Sequence, residues 1–186
     1  MVDSTGEFIS FRGFTIICKV FDTEAMAGLE SLIRNSKTLG KYVVPTPTSS
    51  YHMTVTGLND EKLTAKTLKN LKEMCSKNAF PIGAEILDVY FGATPGISLK
   101  VPPKMNVLRN LLRKTAGMGQ EPSYSYHITF GYTFRPLEQG DYEGYAEDIT
   151  EIKRYIFSMF PTSDDVIRLK AAAVCAFEDM KNFVEI

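Results

Sequence analysis

Two short stretches concentrate the reactive side chains of this 186-residue chain: "SSYHMTVTG" at 49–57 and "YSYHITFGY" at 124–132. Each contains Ser-Tyr-His-x-Thr, and together they hold both histidines of the protein, His52 and His127. Side chains alternate along a strand, so His52 projects with Thr54 and His127 with Thr129. Tyr51, Met53, Tyr126 and Ile128 then point the opposite way, as a core-facing surface requires. Ser50 and Ser125 share the histidine face if each strand begins that early. Duplication alone could retain the tyrosines, but it gives no reason for the only imidazoles to occupy equivalent points.

The chemistry that uses such a pair is phosphoester cleavage. One neutral imidazole takes a proton from the attacking water or hydroxyl, and a second, protonated one gives a proton to the leaving oxygen. An unperturbed pKa of about 6.5 lets histidine serve in either form near neutrality. The threonine hydroxyls of Thr54 and Thr129 can donate to the non-bridging phosphate oxygens, where charge accumulates in the transition state. Tyr124 and Tyr132 bracket the second motif and can stack a base, although strand aromatics often belong to a core. The candidate catalytic residues are therefore His52, Thr54, His127 and Thr129, with Ser50, Ser125, Tyr124 and Tyr132 as candidate substrate-binding residues.

Neither histidine has a carboxylate or cysteine at ligand spacing, so no metal is expected, and no cofactor is expected either. The chain has no phosphate-binding loop, no dinucleotide-binding glycine pattern opening a helix and no nucleophile elbow.

Several elements must hold these motifs. "FTIICKVF" (14–21) reads as a buried strand, followed by a helix capped by Asp22 or Thr23 and running to about residue 35. The prolines of "VVPTPTSS" bar a central strand or helix just before the first histidine strand. Residues 60–77 suit an amphipathic helix, where Lys62, Lys66 and Lys69 form a basic stripe that is normally only a solvated face. "AEILDVYFG" and "ISLKV" flank "ATPG" as a hairpin. "PPKMNVLRNLLRKTAG" reads as a helix with Val107, Leu108, Leu111 and Leu112 on one side and Gly117 as its stop. The second histidine strand follows, then a helix within 140–159 and a closing strand in "VIRLKAAAVCAFEDM". The order strand, helix, histidine strand, helix thus occurs twice with no linker between, predicting one domain over 1–186 with lobes of approximately 1–80 and 81–186.

Composition narrows the partners. The net charge of −1 gives no basic excess for gripping long nucleic acid, but it is compatible with a small phosphorylated ligand or an RNA end. Three widely spaced cysteines, Cys18, Cys75 and Cys175, fit a reducing compartment. No leader-like or membrane-spanning run is present. The expectation is a soluble, cytoplasmic monomer with no membrane partner.

The repeated His-x-Thr, one per half, resembles the 2H phosphoesterase superfamily, and "SSYHMTV", "SYHITFGY" and "AFEDM" look most like its 2H phosphodiesterase-like branch, first catalogued as a domain of unknown function. The resemblance implies an α+β fold of two pseudo-symmetric lobes, each an antiparallel sheet with helices packed outside, enclosing a central groove. It also implies metal-independent action on RNA-type phosphodiesters: 2′,3′-cyclic phosphates, 2′,5′-oligoadenylate or RNA 3′ ends. The expected partner is a nucleotide or short RNA with a cyclic or 2′,5′-linked phosphate. The alternative is a non-catalytic binding module for phosphorylated nucleotides or RNA ends.

Overall fold

The computed structural model describes residues 1–186 other than 22, 24–25, 59, 61–62, 122–123 and 163–164. Ten strands and four α-helices are described: β1 (Gly13–Lys19), α1 (Ala27–Asn35), β2 (Val43–Pro45), β3 (His52–Gly57), α2 (Ala65–Lys77), β4 (Ile82–Tyr90), β5 (Gly96–Lys100), α3 (Lys104–Thr115), β6 (Tyr126–Thr129), β7 (Gly131–Thr133), α4 (Tyr142–Met159), β8 (Ile167–Leu169), β9 (Ala173–Phe177) and β10 (Phe183–Glu185).

Eight strands form one sheet in the order β10-β9-β1-β3-β6-β5-β4-β8, and β2 pairs separately with β7. The pairings with a recorded register are all antiparallel. The far edge curls back: Val20 bridges Leu169, the Lys170 amide donates to the Lys19 carbonyl at 2.8 Å, and the Phe21 amide to that of Arg168 at 2.7 Å. This is the α+β, antiparallel class expected from the sequence, with the strands of both halves joined in one curled sheet.

The helices gather on one face of that sheet. Leu29 and Ile33 of α1, Leu71 and Cys75 of α2, Leu108 and Leu112 of α3 and Ile152 and Ile156 of α4 meet Ile16, Cys18, Met53, Val55 and Ile128 in the main core. Burial of these side chains supplies most of the driving force, each worth about 1.5–3 kcal/mol. Thr64 caps α2 by accepting the Thr67 amide at 3.1 Å. Gly117, at φ +69°, ends α3 in a Schellman arrangement: its amide donates to Lys114 and that of Met118 to Arg113.

Some local expectations shift. Helix α1 begins at Ala27 with Met26 at the cap and no side-chain hydrogen bond there, so Thr23 is not its cap, and Asp22 lies outside the described residues. On α3, Val107 and Leu111 are exposed, while Arg109 is only 2% exposed. The 3.6-residue period aligns Met105, Leu108, Arg109 and Leu112, and the guanidinium is satisfied there. It donates to the Val55 carbonyl at 2.9 Å, pairs with Glu121 and lies over the Tyr124 ring. Lys66 and Lys69 of the basic stripe are exposed, and Lys62 lies outside the described residues. The closing strand is split into β8 and β9, and a further strand, β10, returns along β9.

Candidate active site

Strands β3 and β6 are neighbours, paired at Met53↔Ile128. One residue either way in this antiparallel register sets His52 across from Thr129 and Thr54 across from His127, all four on the face opposite the core. The arrangement is a local two-fold: each histidine faces the other strand's threonine. The histidines stand on a diagonal of the ladder, about 7–8 Å apart at their attachment points. Strand β1 extends both rows by pairing Lys19 with His52 and Ile17 with Thr54, and β5 does so on the other side by pairing Ser98 with His127 and Gly96 with Thr129.

Each imidazole is anchored the same way. His52 Nδ1 lies 2.6 Å from the Ser50 carbonyl, and His127 Nδ1 lies 3.1 Å from that of Ser125. A carbonyl can only accept, so both Nδ1 atoms carry the hydrogen and both Nε2 atoms remain for chemistry. The backbone carbonyls of the two serines thus position the imidazoles. The Ser50 hydroxyl, buried in a turn before β3, donates to the Pro47 carbonyl at 2.7 Å.

The two histidines differ in surroundings. The Phe183 ring packs on His52 with centroids 4.1 Å apart, whereas His127 meets Tyr90 edge-on at 6.4 Å. Burial pushes the His52 pKa down to about 4; the Ser50 carbonyl opposes this in part, and His127 and Lys19 lower it further. His52 is thus a neutral imidazole with a free Nε2 lone pair at neutral pH. Among the described residues, no protein group engages the hydroxyls of Thr54 and Thr129, which leaves them available as donors toward an anion between the imidazoles.

Other expected residues fall elsewhere. Tyr124 packs on Arg109 at 4.0 Å and on Tyr126, against the main core. Tyr132 sits in β7 opposite Val44, its ring 6.0 Å from Phe8, and burial raises its pKa to about 12. The structure does not bring either tyrosine beside the histidines as it brings Phe183, Tyr90 and Lys19. Lys19 Nζ donates to the Phe183 carbonyl at 2.8 Å, tying β10 to the site. None of Lys19, Phe183 and Tyr90 was readable from the sequence, because each comes beside a histidine only through pairing between distant strands. Among the described residues, no three His, Cys, Asp or Glu side chains gather as a metal site would, and no helix is long and apolar enough to cross a membrane.

These features agree with comparisons to known proteins. A family model described as "2H-phosphodiest: Domain of unknown function (DUF1868)" matches residues 2–70, which include the first motif. No curated protein matches the sequence. Among solved structures, a conserved protein of unknown function from Agrobacterium tumefaciens is similar over 100% of this chain and 88% of its own, at 20% identity and a TM-score of 0.69. E. coli LigT complexed with 3′-AMP is similar over 94% of this chain and 95% of its own, at 12% identity and a TM-score of 0.58. A phosphoesterase is similar over the same shares, 94% and 95%, at 11% identity and a TM-score of 0.52. The family match over residues 2–70 bears out the resemblance to the 2H phosphoesterases, and the solved structures share the fold.

Proposed function

We propose that this chain, like the 2H phosphoesterases it resembles, is a phosphodiesterase that works without a metal on a 2′,3′-cyclic phosphate or a related RNA-type linkage. The observation that carries this reading is the two-fold set of His52, Thr54, His127 and Thr129 on one face of β3 and β6, with both Nε2 atoms left free by carbonyl anchors. Fold likeness to LigT, which was solved with 3′-AMP, supports a nucleotide as the ligand class.

The environments divide the roles. Neutral His52 takes the proton from the attacking water or hydroxyl at Nε2, and His127, protonated, donates to the leaving oxygen. Thr54 and Thr129 donate to the non-bridging oxygens as charge builds there. Because His52 is so weakly basic in the free protein, the substrate takes part: an anionic phosphate beside it raises its proton affinity on binding.

Incubation of the protein in EDTA with nucleoside 2′,3′-cyclic phosphates, cyclic-phosphate-ended oligonucleotides and 2′,5′-oligoadenylate tests the reading. Turnover is expected in the wild type, with a fall of about 10²- to 10⁴-fold in His52→Ala and in His127→Ala and ligand binding retained in both. Binding without turnover across the panel would instead establish a non-catalytic module.

A further inference from the structure

The histidine face carries apolar surface that the helices do not cover. Apart from the main core, Ile17, Cys175 and Phe183 form a small cluster with Ala173, Phe177 and Met180 packed against it. Its rings continue in a line to the site: Phe11 to Phe177 at 5.8 Å, Phe177 to Phe183 at 5.4 Å and Phe183 to His52 at 4.1 Å. Along this line lies a cavity of about 300 Å³, lined by the polar side chains of His52, Thr54, Arg12 and Asp60 and by the apolar ones of Phe177, Met180 and Phe183. It adjoins a second cavity of about 530 Å³ with which it shares Arg12, Asp60 and Phe177.

A phosphate or a bare sugar gains little from such a wall, since aromatic and thioether groups offer it neither charge nor strong hydrogen bonds. A flat π-system gains a great deal, and it does so with little regard to which base it belongs to. The volume is at the lower end of the range for small-ligand pockets, and mostly apolar walls converging on a few polar groups are their usual make-up. We infer that this cavity is the nucleobase subsite of the enzyme, holding the base against Phe177 and Phe183 while the phosphate lies between the two histidines. The inference rests on the proposed function for the position of the phosphate. It moves base recognition from the tyrosines flanking the second motif to the phenylalanines of β9 and β10.

The test compares adenosine 2′,3′-cyclic phosphate with methyl riboside 2′,3′-cyclic phosphate, which keeps the reacting ring but replaces the base with a methoxy group. The wild type should prefer the nucleoside in kcat/KM by about 10- to 100-fold, the range that stacking of one base supplies. That ratio should drop several-fold in Phe177→Leu, which keeps bulk beside Gly13, and in Phe11→Ser, at a side chain 44% exposed. Equal kcat/KM for the two compounds in the wild type, or a ratio that neither variant moves, overturns the subsite. Calorimetric binding of adenosine 3′-monophosphate against methyl riboside 3′-monophosphate gives an independent answer. Should the wild type turn over neither cyclic phosphate, the phosphodiesterase reading fails, and the binding preference, present or absent, still decides the subsite.

Discussion

Phe183→Ala removes the ring that covers one face of His52 and should return that imidazole toward its ordinary acidity. In the folded protein the His52 pKa falls from 6.5 to about 4, chiefly through burial, a difference worth roughly 3 kcal/mol between its protonation states. With the ring only 4.1 Å away gone, water reaches the imidazole and its pKa should rise by at least about one unit. The sign for stability follows. A histidine whose folded pKa is depressed costs nothing above the unfolded value, so the wild type should lose stability as pH falls from about 6.5 to about 4, and the variant should lose less over that window. With only two histidines in the chain, proton NMR of the ring Hε1 signals follows both, and His127→Asn assigns them. Phe183→Leu, which keeps the small cluster covered, guards against a trivial loss of folding. A wild-type His52 that titrates near 6.5, or a Phe183→Ala variant that still titrates near 4, would refute the argument that burial under Phe183 keeps this base neutral.

Two further outcomes test the surrounding geometry. Thr54→Val and Thr129→Val keep size and strand preference while deleting the donor, so each should reduce kcat by about 10²- to 10³-fold with an unchanged melting temperature, checked by steady-state kinetics and thermal unfolding. Gly96→Ala places a methyl 2.6 Å from the Tyr90 hydroxyl and 2.7 Å from the Ile128 carbonyl oxygen; it should destabilise the protein by about 1–3 kcal/mol, read from the denaturation midpoint.

The sequence made the centre of the site legible because two local rules suffice there. Strand alternation puts His52 with Thr54 and His127 with Thr129, and repetition of the motif marks both as a pair. The α+β class, the hairpin of β4 and β5 and the stop of α3 at Gly117 likewise follow from nearby residues. What escaped depends on contacts between distant segments. Arg109 looks like a surface residue until Val55, Glu121 and Tyr124 are seen around it. Ser50 shares the strand's parity with His52 but lies in a turn, because the chain breaks at the prolines before β3. Phe183 reaches His52 only through the β9–β10 return and the tie from Lys19, while the tyrosines nearest in sequence to His127 pack elsewhere.

The pH dependence of kcat/KM for a nucleoside 2′,3′-cyclic phosphate, in the wild type and in His127→Ala, tests the paired-imidazole account most directly. With chemistry rate-limiting, the wild type should give a bell whose ascending limb belongs to free His52 and lies well below pH 6.5. In kcat that limb should move to higher pH, since bound phosphate raises the proton affinity of the base. His127→Ala should keep the ascending limb and lose the descending one. A wild-type profile with no descending limb, or one whose descending limb survives in His127→Ala, would contradict the assignment of His52 as base and His127 as acid.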